Sequence, residues 1–221
     1  MMYKNIINFT FLFLLFFTKS TLCQANTTQT YTSSNSKNPF YFVITQTSKQ
    51  VSDIYQTKEF KIDIYSSDSS KLIQSIDLIA KSVWSGFFQK IDSTRTVDVN
   101  FDGYNDLILW SGTGEMGKNN FNEVYLFNPS ANKFIHNETF SSICNIVVDQ
   151  KDKTVEEFID NGGIINYTTR KYEVVNDSLI LKNQEEQSYD FDNNCYIIET
   201  SYYDKGKFKY KKVEKINDNE H

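Results

Sequence analysis

Apolar residues in this chain recur at every second position, and that period constrains the fold before anything else does. Phe60, Ile62 and Ile64 alternate with Lys61, Asp63 and Tyr65, and Phe40-Tyr41-Phe42-Val43-Ile44 forms a similar β-rich run. On an extended backbone successive side chains point to opposite faces, so such a run buries one face and leaves the other to solvent. The same grammar pairs Leu72 to Leu78 with the preceding run across Ser66 to Ser70, and Glu123 to Phe127 with Lys133 to His136 around Asn128 to Asn132. It also pairs Tyr167 to Val175 with Leu179 to Lys182 around Asn176-Asp177-Ser178, and Tyr196 to Tyr203 with Lys207 to Val213 around Asp204-Lys205-Gly206. Asn, Asp, Ser and Gly suit these turns because they tolerate left-handed backbone or bond to their own main chain. Only two prolines and eight glycines interrupt the chain, so long strands are allowed. No segment of ten or more residues carries a convincing helical period, and a short helical turn is expected only near Thr154 to Ile159. The expectation is an all-β chain, an antiparallel meander forming a sandwich or a strongly curved sheet.

The N-terminus carries a different signal. A basic start at Lys4 precedes an apolar stretch from Phe9 to Phe17 and a polar end at Leu22-Cys23-Gln24-Ala25, the layout of a secretory signal peptide over residues 1–25. No later segment approaches the roughly 20 apolar residues that a membrane span needs. A periplasmic or secreted location follows. A lipid anchor at Cys23 is the alternative processing outcome, although Leu22 is bulkier than such cleavage usually accepts. Residues 26–38 (NTTQTYTSSNSKN) are polar and aperiodic and read as a flexible leader, 39–216 as a single β domain, and 217–221 as a disordered tail. Removing the signal takes away Lys4 and Lys19 and no acid, leaving 21 basic side chains against 28 acidic ones. Nucleic acid is excluded as a partner on that balance, while divalent cations or a basic protein are favoured. After export Cys144 and Cys195 remain as an even pair in an oxidising compartment, which predicts a disulfide between them; two buried free cysteines are the alternative.

The sharpest chemical motif is Asp98-Val99-Asn100-Phe101-Asp102-Gly103-Tyr104-Asn105-Asp106. Oxygen-bearing side chains stand at loop positions 1, 3, 5 and 9, with glycine at 6. Calcium takes six to eight hard oxygen ligands, and this spacing turns alternate side chains of one tight loop toward a common centre. Asp98, Asn100, Asp102 and Asp106 would supply side-chain oxygens and Tyr104 its backbone carbonyl. Position 12 is Leu109 rather than a bidentate glutamate, and the flanks are strand-like, so the motif reads as a strand-loop-strand calcium site. Carboxylates about 4 Å apart repel by roughly 4 kcal/mol per pair at an effective dielectric near 20, which a cation relieves.

Beyond the exit strand lies Ser111-Gly112-Thr113-Gly114-Glu115-Met116-Gly117-Lys118, a glycine-rich loop in which Ser111, Gly112, Gly114 and Lys118 are the candidate partner-binding residues. It lacks the strand-to-helix setting and the terminal Ser or Thr of a phosphate loop. Enzyme chemistry is hard to assemble: there are two histidines, His136 and the terminal His221, and no nucleophile or zinc motif. The adjacent acids Glu156-Glu157 and Glu185-Glu186 read as solvated charge. A glycan-binding module using exposed aromatics, or a structural surface or periplasmic module, is the alternative to a protein-binding role.

The runs DVNFDGYNDL, YLFNPSANKF, IVVDQKDKTV and YEVVNDSLIL, spanning about residues 95–182, resemble a family of bacterial periplasmic proteins first recognised in Xanthomonas. The loop at 98–106 by itself also resembles those of FG-GAP/VCBS repeats. The resemblance implies an immunity protein against a lysozyme-like effector delivered by type IV secretion, with a fold like that of the periplasmic inhibitors of i-type lysozyme. It implies a β-fold that places a loop in the hydrolase's substrate cleft, where Ser111-Gly112 and Lys118 would stand. Glu115 occupies the place of the tyrosine in the Ser-Gly-x-x-Tyr pattern of known inhibitors.

Overall fold

The computed structural model describes residues 25–32, 39–50, 56–82, 95–114, 118–162 and 165–217. Within them nearly every element is a strand, and the strands fall into two sheets. The first runs in the order β1 (Ala25–Thr32), β2 (Phe40–Gln50), β3 (Gln56–Ser66), β4 (Leu72–Ser82), β6 (Asp106–Thr113), β7 (Asn120–Asn128), β8 (Lys133–His136), with β5 (Arg95–Val97) paired beside β6. Neighbours are antiparallel except β4 and β6, which meet in parallel at Lys81 to Ser82 and Gly112 to Thr113. β5 and β4 thus share one edge of β6, the former at its start and the latter at its end.

Period-2 alternation produces the core as expected. Phe40, Phe42 and Ile44 of β2, Ile62 and Ile64 of β3 and Ile76 of β4 are buried together with Leu107 and Leu109 of β6, Phe127 of β7 and Phe134 of β8. Strands from both ends of the sheet contribute, so the sheet rolls over on itself; the rings of Phe40 and Phe134 lie 5.2 Å apart. The side chain of Gln74 closes the roll by acting as a length of strand. Its Nε2 donates to the Phe134 carbonyl and its Oε1 accepts the Phe134 N–H, both at 2.9 Å.

The second sheet runs β14 (Lys207–Asn217), β13 (Cys195–Asp204), β12 (Ser178–Asp190), β11 (Tyr167–Val175), β10 (Thr154–Asp160), β9 (Val147–Asp149), antiparallel throughout. Its inner face meets the reverse face of the first sheet. Ile108, Val124 and Leu126 pack there with Val99, Phe140, Ile143, Ile146 and Val155, flanked by Tyr172, Val174 and Leu179. β6 is therefore buried on both faces, Leu107 and Leu109 in one core and Ile108 in the other, each fully buried side chain contributing about 1.5–3 kcal/mol. Lysines 207, 209, 211, 212 and 215 line the exposed outer strand β14, which discourages edge-to-edge pairing.

Several expectations are corrected. Residues 26–32 of the presumed flexible leader form β1, whose backbone completes the edge of β2 from Ala25–Ser48 to Thr32–Tyr41; a polar sequence suffices where the main chain alone supplies the pairing. Residues 33–38, residues 1–24 of the expected signal segment 1–25 and residues 218–221 of the expected tail 217–221 lie outside the described residues, while Ala25 opens β1 and Asn217 ends β14. Thr154 to Ile159 is strand β10, not a helical turn, because β9 and β11 hold it on both sides. The short helix is instead α1 (Glu138–Ser141), capped by Asn137 Oδ1 accepting the Phe140 N–H at 3.1 Å. Cys144 and Cys195 are both buried and free. Cys144 sits against β10, with Sγ 3.4 Å from the Phe158 carbonyl, whereas Cys195 opens β13. Three strand spacings, roughly 14 Å, separate β10 from β13, beyond the reach of about 7 Å between Cα atoms that a disulfide allows. Glu157 is not solvated: it is buried on the inner face, with Oε2 accepting from Arg170 Nη1 and Tyr172 Oη at 3.1 Å and Oε1 from the Cys144 N–H at 3.0 Å. Among the described residues no helix is long and apolar enough to cross a membrane.

Candidate metal loop and partner-facing hairpin

β5 and β6 pair with Val97 opposite Asp106, so residues 98–105 form a closed loop between two strands, as the motif requires. Asp98 organises its start: Oδ1 accepts the Asp102 N–H at 3.0 Å and Oδ2 the Gly103 N–H at 2.8 Å. Gly103 has φ 91°, a conformation that side chains disfavour, and it permits the reversal there. Asp102 Oδ1 accepts the Tyr104 N–H at 2.8 Å, and Asn100 Oδ1 faces the Asp102 N–H at 3.3 Å. Phe101 is held at φ 61°, unusual for a bulky residue, and its ring packs against the second core next to fully buried Val99. The loop is thus anchored from beneath by apolar contacts and crossed above by polar ones.

Asp106 begins β6 with no exposed surface. Its Oδ2 accepts the Val99 N–H and its Oδ1 the Phe127 N–H, each at 2.8 Å, tying the loop to both β6 and β7. Loss of hydration pushes its carboxyl up to about 7 despite those two bonds, and the charges of Asp102 and Asp98 push in the same direction. Asp98 is also raised, first by burial and then by Asp102. The structure therefore brings Asp98, Asp102 and Asp106 into one electrostatic neighbourhood in which like charges repel, with the neutral Asn100 amide bonded to Asp102.

Among the described residues no three His, Cys, Asp or Glu side chains form a ready-made ligand cluster. The loop's donor set is of another kind, carboxylates joined by the Asn100 amide oxygen and the Tyr104 carbonyl. All are hard oxygens suited to calcium, and each bonded carboxylate oxygen keeps a second lone pair. The residues fit the ion in type, spacing and unbalanced charge. Spacing alone did not reveal two further contacts from the second sheet. Asn100 Nδ2 donates to Asp177 Oδ1 at 2.8 Å, and Gln150 Nε2 to the Asp98 carbonyl at 2.6 Å. Asn100, Asp102, His136, Asn137 and Asp177 edge a cleft of about 240 Å³ beside the loop.

The glycine-rich segment is not all loop: Ser111, Gly112 and Thr113 end β6, because Gly112 and Thr113 pair with Phe121 and Asn120, and only 114–119 connect β6 to β7. Gly112 is buried at a bulge where the register slips between Trp110 and Gly112, with φ 153°. Ser111 is half-buried. Gly114 N–H donates to the Asn119 carbonyl at 2.8 Å, which closes the base of the hairpin. Lys118 is ion-paired with Asp160 at the end of β10, Nζ to Oδ2 3.1 Å, so it braces the base against the second sheet. Asn119 exchanges two bonds with the Asp160 main chain, and Asn145 Nδ2 bridges Lys118, Asn119 and Phe158 while its Oδ1 accepts from Asn120. Residues 115–117 lie outside the described residues.

Ser141, His136 and Glu123 lie in contact, yet they do not form a nucleophile and base. Both Ser141 Oγ (3.1 Å) and Glu123 Oε2 (2.6 Å) approach the same ring nitrogen, Nε2 of His136. A relay needs one nitrogen for each neighbour. The Ser141 hydroxyl meanwhile donates to the Asn137 carbonyl at 2.7 Å and accepts the Val124 N–H at 2.9 Å, so it ties α1 to β7.

No family model and no curated protein matches this sequence. Among solved structures the fold is similar to one titled "Structure of a Xanthomonas Type IV Secretion System related protein", with a TM-score of 0.57 at 15% identity, covering 83% of this chain and 98% of that one. At that identity the likeness is one of fold.

Proposed function

We propose that this chain is an exported, non-catalytic β protein that binds calcium in the 98–106 loop and inhibits a lysozyme-like peptidoglycan hydrolase. The observation that carries the reading is the braced β6–β7 hairpin. Its base is closed by Gly114 and Asn119, held by Asn145 and locked to β10 through Lys118 and Asp160. A loop whose base is already fixed loses less freedom on binding, so less is subtracted from its affinity for a target. Ser111 and Gly114 would lie along the contact, with the buried Gly112 shaping the bulge beneath them and Lys118 holding the base instead of entering the cleft. Calcium would stiffen the start of the strand that leads into this hairpin, through Asp98, Asn100, Asp102, Asp106 and the Tyr104 carbonyl. The fold likeness to a protein titled as related to type IV secretion supports the same setting for this one.

A second reading, a glycan-binding module, draws on the outer face of the second sheet. There Phe158, 41% exposed, stacks on Tyr167 with ring centroids 5.7 Å apart. One experiment separates the two. Clearing of a cell-wall suspension by c-, g- and i-type lysozymes is followed with and without the purified protein. Slowed clearing by at least one enzyme, with no retention of the protein on insoluble peptidoglycan alone, supports inhibition. Retention on peptidoglycan without any effect on hydrolysis overturns it in favour of the glycan module.

A further inference from the structure

We infer that Asp177 and Gln150, on two turns of the second sheet, are positioning residues that set the calcium affinity of the loop on the first. This inference rests on the calcium reading above. The Asn176-Asp177 turn joins β11 to β12 with Val175 opposite Ser178, and both turn residues are left-handed, at φ 50° and 56°. That two-residue geometry projects the Asp177 carboxylate toward the first sheet, where Oδ1 accepts from Asn100 Nδ2 at 2.8 Å. Asn137 Nδ2 secures the same turn through the Asp177 carbonyl at 3.2 Å.

The consequence lies in which end of the Asn100 amide faces the loop. An amide offers an oxygen to a cation and a nitrogen that only donates. Asp177 can only accept when ionised, so its Oδ1, the nearer acceptor at 2.8 Å, draws the nitrogen outward from its longer contact with Asp102 Oδ2 at 3.2 Å, and Asn100 Oδ1 is left toward the Asp102 N–H inside the loop. Asp177 thus orients a ligand oxygen and adds a negative charge just outside the site. Gln150 grips the other end of the loop at the Asp98 carbonyl. Val99 and Phe101 reach down into the core that the two sheets share. The loop is therefore clasped by the second sheet on three sides, and ion binding is coupled to the junction between the sheets.

Calcium titration by calorimetry of the wild-type protein, Asp177→Gly, Asp177→Asn and Gln150→Ala tests this. Glycine keeps the left-handed turn but removes the carboxylate, and outer-sphere changes of this kind weaken metal binding by about tenfold. Asp177→Asn restores an acceptor oxygen and is expected to recover most of the loss, which a merely structural turn position would not predict given that glycine already satisfies the backbone. Gln150→Ala leaves that turn untouched and is expected to weaken binding in the same direction. Wild-type affinity in both Asp177→Gly and Gln150→Ala overturns the inference while leaving the calcium reading intact. A wild-type protein that takes up no calcium overturns both.

Discussion

Arg170 Nη1 lies 3.1 Å from Glu157 Oε2, and the glutamate side chain is only 5% exposed where the arginine is 34%. The pair places one desolvated carboxylate under the second sheet, with Tyr172 and the Cys144 main chain completing its bonds. Removing one partner of a buried pair costs more than the pair itself contributes, because the remaining charge stays desolvated. Arg170→Ala is expected to destabilise the fold by about 2–4 kcal/mol. Urea denaturation measures this, and a loss below about 0.5 kcal/mol, the range of an ordinary surface substitution, would show that the carboxylate is not held by the arginine.

Calcium binding has a thermal signature. At about 1 mM free ion and a dissociation constant of about 0.1–1 mM, binding adds roughly 0.4–1.4 kcal/mol. For a chain of this size that corresponds to a melting temperature about 1–5 °C higher in calcium than in excess chelator. Asp102→Ala is expected to melt at the same temperature in both. Identical wild-type melts in the two buffers would rule the ion out.

The loop also predicts a pH dependence whose sign follows from Asp106. Its carboxyl is raised to about 7, by burial first and then by Asp102 and Asp98, against about 3.9 for an unfolded aspartate. A raised folded value stabilises below the unfolded one, and that contribution is lost as the pH climbs through about 7. In chelator, stability is therefore expected to fall between about pH 5 and pH 8, by roughly 2–4 kcal/mol from this group. Calcium favours the ionised form and should flatten the decline. Denaturation midpoints across that range, with and without calcium, decide it; a chelated protein that grows more stable toward pH 8 contradicts the assignment.

The cysteines give a direct chemical check. Burial, reinforced by the neighbouring Glu157 charge, pushes the Cys144 thiol up to about 11, and Cys195 is buried as well. Neither thiol should react with iodoacetamide at pH 8 while the protein is folded. After unfolding without reductant, mass spectrometry should show both alkylated. Recovery of a species resistant to alkylation until reduced would mean that the two are bridged after all.

Much of this was legible locally. The alternation in Phe40 to Ile44 and Phe60 to Tyr65, and turns such as Asn176-Asp177 and Asp204-Lys205-Gly206, are statements about a few adjacent residues, and the strands and hairpins lie where those residues place them. The spacing from Asp98 to Asp106 likewise put its oxygens in one loop between two strands, since nine consecutive residues carry all of that geometry. What could not be read locally depends on which distant main chain or side chain arrives. A polar segment became β1 because the edge of β2 accepted it, Thr154 to Asp160 became a strand because β9 and β11 flank it, and Glu157 was buried because Arg170 and Tyr172 meet it across the sheet. Sequence settled the period of the backbone and the placing of the oxygen-bearing side chains in one loop, since both are short-range properties of covalent neighbours. The division into two sheets, the separation of Cys144 from Cys195 and the clasp of Asp177 on Asn100, 77 positions away, were decided by packing, which leaves no mark in local spacing.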